Sequence, residues 1–220
     1  MHKQSAWLPG FLRDAIVLLK NGYRKARKKR ALIRLSRQPV RKIIVGAGET
    51  RIEGWEPTDR EVLDLLRESD WSNYFRRNSL DAILAEHVWE HLTPEEAIVA
   101  ATHCFRFLKP GGYLRVAVPD GLHPDPGYIE WVKPRGNGPG SDSHKVLYTY
   151  HTFRKLFISV GFDVSLYEYF DGHGEFRHNE WNPVDGLIQR SEQFDSRNLG
   201  GKLLYTSIIL DAKKPFSQKS

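Results

Sequence analysis

Sulfur is scarce in this chain. Its 220 residues include a single cysteine, Cys104, which excludes an internal disulfide and makes a reducing, cytoplasmic setting the simplest expectation. Cys104 falls on an apolar helical face, so a core thiol is expected rather than a nucleophile. No apolar run approaches the roughly 20 residues that a membrane span needs. Internal repeats and low-complexity stretches are also missing. Acids are nearly missing from the start: residues 1–42 hold 13 Lys/Arg against Asp14 alone, a formal +12. Residues 43–220 hold 20 Lys/Arg and 26 acids, a formal −6. The basic balance therefore belongs to an N-terminal arm and not to the rest of the chain. The length suits one α/β domain with a decoration and allows a substantial core.

The arm is residues 1–40. Pro9 can open a helix, and Phe11, Leu12, Ile16, Leu19, Tyr23 and Ala26 recur at nearly helical steps among cations. Arg24 to Arg30 is a dense positive run. Three uses are open: a solvated or loosely docked helix, an interfacial helix over residues 8–37 attracted to anionic lipid, or a handle for a polyanion. The first two are preferred, because no basic, aromatic-interleaved surface continues into the domain; nucleic acid is not an expected partner. The arm also has the basic, acid-poor flavour of a mitochondrial presequence, without its serines.

The domain, residues 41–216, is organised around Ser79 to Leu92. Asp81–Ala85 is a short apolar run suited to a buried parallel strand, and it stops at Glu86-His87. Thr93-Pro94-Glu95-Glu96 starts a helix, with Thr93 as N-cap, Pro94 at the first position and acids in the first turn. Ala97, Ile98, Ala101, Cys104, Phe105 and Leu108 mark its apolar face. Lys109-Pro-Gly-Gly112 ends it, and Tyr113–Asp120 reads as the next strand, parallel to the first. Upstream, Lys42-Ile-Ile-Val-Gly-Ala-Gly48 is a strand running into a turn whose small residues let backbone approach a ligand. Glu53–Asp59 reads as a short strand ending in an acid. Thr149–Val160 is helical and closed by Gly161, and Phe162–Phe170 and Lys202–Ala212 are two further strands.

The order Asp-Ala-Ile, Glu-His-Val-Trp-Glu-His-Leu, Leu-Lys-Pro-Gly-Gly-Tyr-Leu resembles the centre of class I S-adenosylmethionine-dependent methyltransferases. The resemblance spans residues 42–215 and is nearest to a contracted subgroup. It implies a Rossmann-like α/β fold: a mostly parallel seven-stranded sheet, an antiparallel last strand, and helices on both faces. It implies S-adenosylmethionine as cofactor, held by Gly46, Ala47 and Gly48, with Asp59 accepting hydrogen bonds from the ribose hydroxyls. Asp70 would receive the adenine amino group and Trp71 lie against the ring, whereas by themselves the two residues read as a turn cap and a core indole. Glu86 and His87 would face the methionine end, with His91 orienting the turn. Two features depart from the family pattern. The third glycine of Gly-x-Gly-x-Gly is absent, and only about ten residues separate Gly48 from Asp59, too few for a crossover helix and strand.

Metal is not expected at Glu86, His87, Glu90 and His91. His-x-x-Glu-His is not the His-Glu-x-x-His of zincins, the segment leaves a strand, and a further ligand is wanting. Residues 121–148 read as a long loop over the crevice, anchored by Tyr128 and Trp131, and residues 171–201 as an insertion forming a second wall. If the methyl acceptor is a hydroxyl, its base is expected to be His144, with His123 and Glu180 behind it. A small polar or glycan-type acceptor is conceivable. Two other classes stand beside this reading: a degenerate cofactor-binding module regulating a partner, and another Rossmann-like enzyme using a nucleotide cofactor such as NAD.

Overall fold

Sheet formation follows the apolar runs. The computed structural model describes residues 10–216. Its strands are β1 (Lys42–Ile44), β2 (Glu56–Pro57), β3 (Leu80–Glu86), β4 (Leu108–Pro119), β5 (Asp163–Phe170), β6 (Phe176–His178) and β7 (Ser207–Lys213). They form a seven-stranded sheet in the order β2-β1-β3-β4-β7-β5-β6. Pairing is parallel from β2 through β4. β7 then inserts antiparallel between β4 and β5, and β6 returns on β5 as a hairpin. The Rossmann-like α/β sheet expected from the sequence is this one, with its last strand antiparallel.

The α-helices are α1 (Gly10–Leu35), α2 (Glu68–Ser72), α3 (Pro94–Phe107), α4 (Pro126–Val132) and α5 (Tyr150–Val160). Pro9, expected to open α1, lies outside the described residues. α3 starts as its sequence dictates. Thr93 Oγ1 accepts from the Glu96 N–H and Glu96 Oε2 accepts from the Thr93 N–H, which satisfies two end groups reciprocally. α5 ends at Gly161, whose φ of +108° is left-handed.

Alternation along β3 sorts the core. Ile83 points into the larger cluster, with Trp71, Trp89, Cys104 of α3, and Phe153 and Phe157 of α5. Ala82 and Leu84 point into a smaller cluster with Ile44, Trp55, Ile188 and Ile209. The helices expected on both faces gather on one face: α1 through Leu32, α2, α3 and α5 all pack into the larger cluster, and no described helix residue enters the smaller. The segment carrying Trp181 and Ile188 covers the other, so the insertion is a core layer in part. Arg115 of β4 fastens it. The guanidinium is 2% exposed, binds both Asp211 oxygens at 2.8 and 2.9 Å, and donates to the Asn182 and Gly186 carbonyls at 2.9 Å.

Three local expectations differ from what forms. Lys109–Gly112 does not end in a turn but belongs to the irregular start of β4, with Gly111 at φ +81° and a register shift opposite Leu80–Ala82. β2, expected over Glu53–Asp59, is only two residues long. The segment over the crevice is structured, containing α4 and a 3-10 turn at Ser141–Ser143.

Candidate active site

The carboxyl ends of β1 and β3 face a crevice, the place where open α/β sheets hold ligands. After β1 the chain turns through Gly46 at φ +61° and Gly48 at φ +50°. A Cβ on Gly46 would stand 2.6 Å from Val88 Cγ2, so only glycine fits against the turn that follows β3. The Gly48 N–H donates to Asp59 Oδ1 at 2.8 Å, joining this turn to the end of β2. Lys28 of α1 reaches across to Asp59 Oδ2 and lies 3.4 Å from Glu61. Burial opposes ionisation of Asp59, but Lys28 and the Gly48 N–H outweigh it and hold the carboxyl below its ordinary range.

Two cavities meet at Gly46, His87 and His91. One, of about 260 Å³, is bounded by Leu63, Asp64, Leu65, Leu66, Val88 and Leu92. The other, of about 540 Å³, is polar, with Glu86, His87, Glu90, His91, His144 and Arg190 among its walls. The smaller suits a flat apolar group and the larger a polar chain or headgroup.

His87 leaves β3 with φ +54°, a left-handed conformation uncommon outside glycine and frequent at functional sites. Ser207 Oγ donates to the Arg190 carbonyl at 2.8 Å, so it accepts the proton on His87 Nε2 at 3.0 Å. His87 Nδ1 then stands 3.0 Å from Glu90 Oε1. Glu90 is buried; burial raises its pKa, yet His87 outweighs that and the net displacement is downward. Glu86 accepts the N–H groups of Gln189 and Arg190 at 3.2 and 2.7 Å, tying the insertion to the crevice.

The structures of known proteins with similar architecture include three methyltransferases. One is a SAM-dependent methyltransferase from Archaeoglobus fulgidus: 18% identical, 88% of this chain and 94% of that chain covered, TM-score 0.48. Another is the complex of the Haloferax volcanii Trm112 methyltransferase activator with a putative methyltransferase: 14% identical, 94% and 97% covered, TM-score 0.44. The third is a possible histamine N-methyltransferase from Thermotoga maritima: 16% identical, 79% and 73% covered, TM-score 0.45. No curated protein matches the chain. Residues 55–116 match a family model described as a methyltransferase domain. The matched segment runs from β2 into β4, so this central part of the sheet is similar to a methyltransferase domain.

Around the crevice the predicted residues separate. Gly46, Ala47, Gly48, Glu86, His87 and His144 all line the larger cavity. Asp59 lines neither cavity and is engaged by Lys28. Asp70 and Trp71, expected at the adenine, line neither cavity. Asp70 Oδ2 accepts the Asp64 N–H at 3.1 Å, and Trp71 is fully buried, stacked on Phe107 at 5.4 Å. Residues 63–66 line the smaller cavity instead. His123 stacks on Tyr128 at 4.0 Å, and its Nδ1 accepts the Asp125 N–H at 3.1 Å, which uses the lone pair a base needs. Glu180 is exposed and lines neither cavity. Sequence patterns do not single out Asp64, Leu65 and Tyr205 as site residues. Nothing in their local pattern marks them, since each arrives by a turn or loop whose path the tertiary structure sets.

Proposed function

We propose that this methyltransferase domain moves the sulfonium methyl of S-adenosylmethionine to an oxygen of a small polar or glycan-type acceptor, in the cytoplasm. The paired cavities support this best. The adenine would enter the smaller cavity along Leu63–Leu66, the ribose hydroxyls would reach Asp59, and the methionine end would pass the Gly46–Gly48 turn toward His87. The larger cavity would hold the acceptor.

Bound there, S-adenosylmethionine would supply a sulfonium-activated methyl: the acceptor oxygen would bond to the methyl carbon as the carbon–sulfur bond broke, with the electron pair left on sulfur. The sulfonium already activates the methyl, so the protein's main task is alignment. His144 would take the hydroxyl proton. Its Nδ1 donates to the Val132 carbonyl at 2.7 Å, which leaves Nε2 as the bare lone pair at the cavity.

The test is thermal stability of the full chain with S-adenosylmethionine, S-adenosylhomocysteine, NAD and NADP, beside Asp59→Ala. A ligand that binds only the folded state raises the midpoint by mass action. A rise with the two adenosyl sulfur compounds, diminished in Asp59→Ala, is expected. A rise with the nicotinamide cofactors alone would transfer the domain to another nucleotide chemistry. The missing third glycine after Gly48 favours one second reading, a cofactor-binding module without turnover; binding of S-adenosylmethionine with no transfer to any polar acceptor would select it.

A further inference from the structure

The geometry points to a divalent-cation site made by Glu90, His91 and His144 at the floor of the larger cavity. Each offers one ligand atom, and these atoms lie within 4.8 Å of one another. Glu90 and His91 sit on the 3-10 turn after β3, and His144 follows the 3-10 turn of the crevice loop. The Lys145 N–H donates to the Glu90 carbonyl at 2.7 Å, so the two turns are held together by backbone before any ion arrives.

Glu90 is the decisive residue. It is 1% exposed, lines the cavity, and neither carboxylate oxygen receives a well-formed hydrogen bond, although His87 Nδ1 stands 3.0 Å from Oε1. A buried carboxylate with unused lone pairs is costly unless a cation or donor meets it. The imidazoles are prepared as ligands. Ser143 Oγ donates to the Gly140 carbonyl at 2.8 Å and so accepts from His91 Nδ1 at 2.9 Å; His144 Nδ1 donates to the Val132 carbonyl. Both rings therefore present Nε2 as a lone pair, with the far nitrogen hydrogen-bonded as metal-ligating histidines require.

Two imidazoles and one carboxylate suit a first-row divalent ion with coordination positions left open. Ligands at about 2.1 Å from one ion lie about 3–4 Å apart, so a small rotation of the rings closes the set. The local sequence argues against metal for want of another ligand; the fold brings His144 from 53 positions downstream of His91. This inference rests on the methyl-transfer reading for its use: the open positions would take acceptor oxygens, and the acidified hydroxyl would release its proton to cavity water instead of to His144.

The experiment strips the full-length chain with a chelator and titrates Co²⁺, following the d–d absorption bands, in wild type, His144→Ala, Ser143→Ala and His178→Ala. S-adenosylhomocysteine binding is measured on the same samples. One equivalent should bind with bands of nitrogen and oxygen ligation. His144→Ala should abolish those bands, Ser143→Ala should weaken affinity about tenfold by releasing His91, and His178→Ala, outside this cluster, should change nothing. Circular dichroism melting separates lost ligation from lost folding, and Zn²⁺ should displace Co²⁺ stoichiometrically. No saturable binding, or binding whose bands persist in His144→Ala and whose affinity is unchanged in Ser143→Ala, overturns the site. If S-adenosylhomocysteine still binds in that case, only the cation inference has failed. Cation binding without S-adenosylhomocysteine binding would instead fail the methyl-transfer reading.

Discussion

Gly46 shows how much one residue can decide. Its φ is left-handed and its missing Cβ would meet Val88 Cγ2 at 2.6 Å. Gly46→Ala carries a backbone cost of about 1–2 kcal/mol and a packing cost of about 1–3 kcal/mol. Chemical denaturation should show a loss of about 2–5 kcal/mol. The double variant Gly46→Ala/Val88→Ala should recover the packing part but not the backbone part. No recovery would mean that the clash is not what makes glycine necessary. Asp120 supplies the pH dependence. Buried at the end of β4, it accepts N–H groups from Leu122 and Phe170, yet burial dominates and raises its pKa from 3.8 to about 6. The folded state thus holds this proton more tightly than the unfolded chain. The resulting stability is full below about pH 4 and is lost as pH rises through about 6, on the order of 2–3 kcal/mol. Asp120→Asn cannot titrate, so the wild-type advantage over it should grow as pH falls from about 7 to about 4; a pH-independent difference would refute the assignment. Residue identity is least legible where packing chooses between readings. Asp70 and Trp71 fit the adenine role in family order, but an indole beside Phe107 buries far more apolar surface than one at the crevice.

At the scale of elements, local signals serve where they are complete. The Thr93–Glu96 box, the Gly161 cap and the apolar runs at β3 and β4 each form what their sequence specifies. The two-residue β2 and the structured crevice loop are hidden, because their backbone partners lie far away in sequence. The arm gives the least foreseeable contact: α1 docks through Ala31 and Leu32 and places Lys28 on Asp59. On the proposed role of Asp59, Lys28 competes with the ribose hydroxyls for the same carboxylate. Lys28→Ala should tighten S-adenosylhomocysteine binding by about 3–10-fold and cost about 1 kcal/mol or less in stability, as partly exposed ion pairs do. Calorimetric titration reads both the affinity and its salt dependence, which should be weaker in the variant. Weaker binding would reverse the assignment and make Lys28 the residue that orients Asp59.

The whole molecule is electrically divided, and the division sets its behaviour at surfaces. Residues 1–42 carry a formal +12 and residues 43–220 a formal −6. α1 joins this charge to an exposed apolar stripe: Leu18, Leu19 and Tyr23 are 71%, 73% and 70% exposed. No helix among the described residues is long and apolar enough to cross a membrane, whereas a helix with cations beside such a stripe can lie in an anionic interface. We propose that α1 lies on an anionic membrane surface. Basic residues near such a surface contribute about 1 kcal/mol each, and the attraction falls off within a Debye length of about 10 Å at 0.1 M salt. The full chain should sediment with phosphatidylserine vesicles and not with phosphatidylcholine vesicles, and should be released as salt rises. Leu18→Glu/Leu19→Glu should weaken this binding at least about tenfold, because two apolar anchors are lost and two repulsive charges gained. Unchanged sedimentation of that variant would assign the attraction to the cations alone; no binding by wild type would leave α1 as a solvated helix anchored to the domain near the Lys28–Asp59 contact.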